Sequence, residues 1–197
     1  MFVTDSWRGA HGSETRGDDV SLDMRASFIF RLDARDRAWF DRLVLGEAAS
    51  SASTALWIAV THLGGATSAI AAVLLPLLLA QGALHAAALQ GATALLLSHL
   101  VVQLIKRRIL RERPAPARLG RSLVGVPDRF SFPSGHACAA MSVAFAYGIA
   151  YPAIAIPVIV LAVVVGMSRV RLGVHYPGDV LAGQALAIAT VLALRLA

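Results

Sequence analysis

Between Gly65 and Leu194 the chain is a succession of apolar runs, and this pattern limits the fold more than any single residue does. The runs cover about Gly65–Ala80, Ala83–Ile105, Gly135–Ile149, Ala153–Met167 and Val180–Leu194. Each is close to the roughly 20 apolar residues that a helix needs to cross a hydrocarbon core about 30 Å thick. Pro76 falls inside the first run, where a membrane helix tolerates it. Only 15% of the 197 residues are charged, against about a quarter in soluble domains. The pattern predicts an all-α, polytopic transmembrane helix bundle in the cell membrane. It has five spans, or six if the Ser/Ala-rich stretch Ala48–His62 crosses as well.

The ends of the chain differ from this middle. Residues 1–23 are polar, mixed in charge and rich in Gly and Ser, the composition of a disordered tail. The domain proper is expected over 24–197, and no apolar stretch of a cleavable signal is visible at the N-terminus. Phe28 to Leu45 reads "FIFRLDARDRAWFDRLVL". Phe28, Leu32, Trp39 and Leu43, interleaved with Arg and Asp, predict an amphipathic helix lying in the membrane interface. The net charge of +6 sits beside the apolar runs, where it marks topology, lipid head groups or a phosphate site rather than nucleic acid. The single cysteine, Cys138, excludes an internal disulfide and any Cys-based zinc site.

Connections of unequal length then sort the loops. The tight links at Gln81-Gly82 and Tyr151-Pro152 belong to one membrane face. The long loop Lys106–Ser134 and the short loop Ser168–Asp179 belong together on the other. With five spans only Arg195 among the Lys and Arg lies opposite the loops, and the positive-inside bias places them on the cytoplasmic side. A crossing by Ala48–His62 would move the N-terminal Arg residues and remove most of that bias.

Three clusters meet on the loop-bearing face. The first is "KRRILRERP", Lys106 to Pro114. On a continuing helix Lys106 and Arg113 share a face about 10 Å apart along the axis, so two cations can converge on one anion. Pro114 disfavours helix at Arg113 and is expected to end it there. The second is Pro133-Ser134-Gly135-His136, with Ser134 placed as an N-cap. The free amides of a helix start favour an anion, and Gly135 lets one approach the backbone. The third is "SRVRLGVHYPGD", Ser168 to Asp179. Asp179 lies four residues after His175 and can accept its Nδ1–H, which leaves Nε2 with a free lone pair. Alone, each cluster is also explained by a stop-transfer signal, an ordinary cap or an interfacial histidine.

Together, Lys-x6-Arg-Pro, Pro-Ser-Gly-His and Ser-Arg-x5-His-x3-Asp, in this order and separated by spans, resemble the type 2 phosphatidic acid phosphatase (PAP2) superfamily. These are membrane lipid phosphatases that share their site with vanadium haloperoxidases. The resemblance covers Lys106 to Asp179, and the N-terminal third carries no diagnostic residue.

The resemblance implies that His175 attacks phosphorus and forms a phosphohistidine, with Asp179 holding its imidazole. It implies that His136 protonates the departing lipid oxygen and then activates water. Lys106, Arg113, Ser134, Gly135 and Arg169 would bind the phosphate oxygens. The expected substrate is a phospholipid or polyprenyl phosphate or diphosphate drawn from the surrounding lipid. Neither cofactor nor metal is expected, because Glu112 and Asp128 are read as standing apart in their loop. A haloperoxidase-like enzyme and an inactive lipid-binding membrane protein are the alternatives; the first is normally larger and soluble. His99 and His85 are expected to pack between helices, Tyr176 to sit in the interface, and Arg107, Arg108, Arg111 and Arg171 to anchor head groups.

Overall fold

Five helices follow the five apolar runs, because a backbone in lipid must satisfy its own hydrogen bonds and a helix does so locally. The structure is a computed structural model that describes residues 33–46, 48–114, 124–125 and 128–196. The tail 1–23 and the first residues of the expected amphipathic helix lie outside the described residues. The chain divides into two compact units at Asp36, and the unit Asp36–Ala197 is the subject below. Its helices are α1 (33–43, counted here from Asp36), α2 (Ser51–His62), α3 (Ala66–Leu79), α4 (Gly82–Ile109), α5 (Gly135–Ala150), α6 (Pro152–Arg171) and α7 (Pro177–Leu196). Pro152 and Pro177 open their helices, where the missing N–H costs nothing.

By length and composition α4, α6 and α7 can each cross a membrane. At 16 residues α5 is shorter, and α2 and α3 qualify only as a pair bent by 44°. The bend decides what Ala48–His62 does. Just before α2, Leu45 N donates to Arg171 O at 2.9 Å. At its far end, Thr61 Oγ1 accepts from Arg169 at 2.6 Å. Midway, Arg171 lies over the Trp57 ring at 5.5 Å. Both ends of α2 are thus fastened to the last turn of α6, so α2 stays at that end of the bundle. The chain alternates direction through α3 to α7, and the C-terminal ends of α4 and α6 meet the N-terminal ends of α5 and α7. Arg171, expected to anchor head groups, instead holds α1 and α2 against the bundle, donating also to Leu43 O.

Small residues set the helix contacts. Ala88, Ala94, Ala137, Ala146 and Ala187 are fully buried, while Leu78, Leu79, Ile156 and Leu181 face outward. In lipid no hydrophobic force drives helices together, so close backbone approach and buried hydrogen bonds take its place. Ser98 and Ser142 bond across α4 and α5 at 3.0 Å. Gln184 of α7 donates to Ala162 O of α6 at 3.2 Å.

Among the described glycines the closest approach to another helix's backbone is at Gly183, where a Cβ would stand 2.5 Å from Ser134 O and 3.3 Å from Cys138 N. Those atoms are the backbone of the first turn of α5 and cannot yield as a side chain can. Gly183→Ala is therefore expected to cost about 1–3 kcal/mol of stability, read as a lowered thermal midpoint in detergent, and to reduce activity by shifting Ser134.

Candidate active site

Lys106 ends the polar face of α4 and is 4% exposed. Its Nζ donates to both Asp128 oxygens, at 3.0 and 3.2 Å, and to Phe130 O at 2.7 Å. The helix does not run on to Arg113 as expected: it stops at Ile109, and Leu110 takes a left-handed conformation (φ 54°). The chain then doubles back, with Glu112 bridged to Phe130. Arg113 reaches the site from this extended segment rather than from a helical face.

Arg113 is the hub. Its Nε donates to Asp128 O at 2.9 Å and its Nη2 to Asp128 Oδ1 at 3.0 Å. Its Nη1 reaches Val174 O at 2.9 Å and His175 Nε2 at 3.1 Å. Asp128 therefore does not stand apart. It joins the two cations, and Glu112 alone turns outward, to an exposed pair with Arg129. Burial would raise the Asp128 carboxyl, but the hydrogen bond and charge of Lys106 and those of Arg113 outweigh it and hold it below the ordinary carboxylate range. Asp128 is thus ionised at neutral pH and orients Lys106 and Arg113.

His175 lies in the turn between α6 and α7, where Gly173 supplies a positive φ of 77°. Its side chain is 2% exposed. A guanidinium can only donate, so its contact with Nε2 makes that nitrogen an acceptor and leaves the proton on Nδ1. Asp179 Oδ2 is 3.6 Å from Nδ1, an electrostatic approach longer than the hydrogen bond expected from the spacing. Burial lowers the ring's pKa to about 4; the nearby Asp179 carboxylate opposes this and the Arg113 charge adds to it. Neutral His175 with an unprotonated Nε2 is the form a nucleophile needs, and the Arg113 N–H on that nitrogen must turn to the phosphate as it attacks.

Asp179 is completely buried. Its Oδ2 accepts from Tyr176 N at 2.8 Å and its Oδ1 from Arg111 Nη1 at 2.6 Å. Tyr176 itself is buried rather than interfacial, edge-on to Phe40 at 5.4 Å.

Ser134 precedes α5 and its backbone N donates to Asp179 O at 2.9 Å, tying the two helix starts together. Its side chain does not cap α5 as expected. The buried Oγ has no hydrogen-bond partner among the described residues. Gly135 leaves room beside His99, whose Cε1 would be 3.7 Å from a Cβ there. Arg169 is 2% exposed. Its Nη1 donates to Thr61 Oγ1, and its buried Nε has no partner among the described residues.

One cavity of about 700 Å³ collects these groups. Lys106, Arg113, Gly135, His136, Arg169 and His175 line its polar end, with Ser134 and Asp179 behind them. Ile70, Val73, Leu74 and Leu77 of α3 and Leu95 and Leu96 of α4 line the rest. Sequence reasoning missed Asp128, Thr61 and Arg111, and it left His99 as a packing residue although it lines the cavity. Among the described residues no three His, Cys, Asp or Glu side chains are grouped as metal ligands.

Comparison with known proteins gives the family. The PAP2 superfamily model matches residues 87–197. The decaprenylphosphoryl-5-phosphoribose phosphatase of Mycolicibacterium smegmatis is 36% identical over 129 residues, which cover 64% of this chain and 68% of that protein. The crystal structure of a transmembrane PAP2-type phosphatidylglycerolphosphate phosphatase from Bacillus subtilis superposes with a TM-score of 0.67 at 25% identity, covering 84% of this chain and 85% of that one. LpxE of Aquifex aeolicus shares the fold, with a TM-score of 0.69 at 20% identity over 81% of this chain and 94% of its own. With the family model matched over more than half its length, the chain belongs to the PAP2 superfamily and is a membrane phosphoric ester hydrolase.

Proposed function

We propose that this protein removes the terminal phosphate of a membrane lipid through a phosphohistidine on His175. The observation that carries this reading is the cavity that joins a cationic, histidine-bearing end to an apolar wall between α3 and α4. A lipid phosphate has those two halves, with its tail remaining in the bilayer.

The chemistry follows from the groups present. The Nε2 lone pair of His175 attacks phosphorus in line, and the bond from phosphorus to the lipid oxygen breaks. His136 gives that oxygen its proton. Lys106, Arg113 and Arg169 balance the charge on the equatorial oxygens, which is most of what loose phosphoryl transfer requires. In the second half His136 takes a proton from water, the oxygen attacks phosphorus, and the P–N bond breaks to release inorganic phosphate. Asp179 faces the imidazolium that forms between the two steps.

The cavity wall also bears on the head group. Along α4 the lining passes from Lys106 to Gln103, His99, Leu96 and Leu95. Gln103 and His99 contact each other at 3.3 Å. A polar step about 10 Å long thus separates the phosphate end from the apolar wall. It suits a lipid whose terminal phosphate is carried on a head-group sugar or a second, head-group glycerol better than phosphatidate or an isoprenoid phosphorylated directly. The names of the M. smegmatis and B. subtilis relatives describe substrates of the former kind.

Phosphate release from a lipid panel tests this. A glycerol- or sugar-spaced phosphomonoester is expected to exceed phosphatidate and polyprenyl phosphate or diphosphate in kcat/KM, with EDTA causing no loss. A wild type inactive on every lipid phosphate refutes the function, and loss in EDTA refutes the metal-free mechanism.

A further inference from the structure

Asp179 has a second, deeper partner, and it ties the nucleophile to the N-terminal helix. Arg111 Nη1 lies 2.6 Å from Asp179 Oδ1 and 2.8 Å from Asp36 Oδ2 of α1. The other Asp36 oxygen accepts the Gly178 N–H at 2.7 Å, in the first turn of α7. Side chains of Arg111 and Asp36 are only 18% and 14% exposed. The Arg111 guanidinium also lies over the Tyr176 ring, 4.1 Å from its centroid, and Phe40 of α1 closes the ring's edge. Gly178 is required for this approach, since a Cβ there would meet Asp36 Oδ2 at 2.8 Å.

We propose that Arg111, fixed by Asp36, is a positioning residue that sets the Asp179 carboxylate and through it the His175 imidazole. This rests on the lipid phosphatase reading above. The Asp179 carboxylate can rotate about its last bond, and only one orientation presents Oδ2 to His175 Nδ1. Arg111 on Oδ1 and the Tyr176 N–H on Oδ2 hold that orientation. When phosphorus bonds to Nε2 the ring becomes cationic, and the carboxylate must already be ionised and in place. A chain of alternating charge, Asp36, Arg111, Asp179, His175, meets that need. Arg111 does not line the phosphate cavity, so it acts without touching substrate. The amphipathic helix α1 is then part of the catalytic apparatus rather than an interfacial anchor alone.

Steady-state kinetics on the purified protein separate the possibilities. Arg111→Met is expected to lower kcat about 100-fold, as misplacement of a reacting group does, with KM within about threefold. Asp36→Asn should lower kcat about tenfold, and Arg111→Lys should fall between wild type and Arg111→Met, because a point charge cannot bridge two carboxylates and stack on a ring. In an Asp179→Asn background, Arg111→Met should change kcat by no more than about twofold, since both act through one carboxylate. If Arg111→Met does not fold, Asp36→Asn and Arg111→Lys in the two backgrounds decide the same question. A raised KM at unchanged kcat would make Arg111 a head-group anchor and overturn the proposal. Full additivity with Asp179→Asn would overturn it too. A wild type without activity on any lipid phosphate would instead remove the functional reading and this one with it.

Discussion

His175→Ala is expected to reduce phosphate release by about 10⁴-fold or more, because no other group in the cavity can replace its bare Nε2. His136 sits on α5 with a different task in the proposed cycle, His99 stands about 10 Å along α4 from Lys106, and the other charged groups lining that end are Lys106, Arg113, Arg169 and the Asp128 carboxylate. Acid-quenched wild type given labelled substrate should carry an acid-labile, base-stable phosphoryl group that His175→Ala lacks. Retained activity, or a phosphoryl group retained on the variant, would remove His175 as the nucleophile. A second readout comes from linkage. The folded-state pKa near 4 lies below the ordinary histidine value of 6.5, so the unfolded chain binds the proton first. The contribution of the neutral ring to stability is complete above about pH 6.5 and lost as the pH falls toward 4. Thermal unfolding of His175→Ala should therefore depend less steeply on pH across that window.

The candidate reacting groups were legible because such groups must be of a few residue types at fixed spacings. His136, His175, Asp179 and the cations Lys106, Arg113 and Arg169 meet at one end of the bundle, as the alternation of apolar runs implies. The supporting contacts were not legible, since they join residues far apart in sequence. Thr61 meets Arg169 across 108 positions, Arg111 meets Asp179 across 68, and Asp128 meets Lys106 across 22. No local pattern records such a pairing. The route of the Lys106–Arg113 segment was misread for a related reason. Pro114 is a true helix-stop signal, but the stop falls at Leu110, which adopts a left-handed conformation usually marked by Gly or Asn. Nothing in "RRILRERP" announces it. What holds the chain there is the pairing of the following segment with Phe130, Ser131 and Asp128. Ser134 shows the same limit: its type suits a cap, yet the turn before α5 spends its backbone on Asp179 and leaves the hydroxyl buried.

Arg169→Met is expected to cut turnover severely and yet raise the thermal midpoint. Arg169 is a buried cation with no carboxylate partner among the described residues; Thr61 takes one of its donors and the buried Nε has none. Bringing a charge out of water costs several kcal/mol, and only good pairing offsets that. Thr61 cannot supply it, being neutral, and the neighbouring Arg113 and His136 add no negative charge. The fold therefore tolerates a destabilising group that an anion in the cavity would satisfy. Replacing it with an apolar chain of similar length removes the cost, and Thr61 can return its hydroxyl to a carbonyl of its own helix. A gain of a few degrees is expected, at about 2–4 °C per kcal/mol for a chain of this size. Activity should fall about 10³-fold, the usual loss when one fixed donor to a developing anion is removed. Inorganic phosphate sharpens the test, because a ligand that binds only the folded state raises its stability. Added phosphate should raise the midpoint of the wild type and leave that of Arg169→Met almost unmoved. A variant less stable than the wild type in the absence of phosphate would show that the fold itself satisfies Arg169, and that its charge is not held in reserve for the substrate.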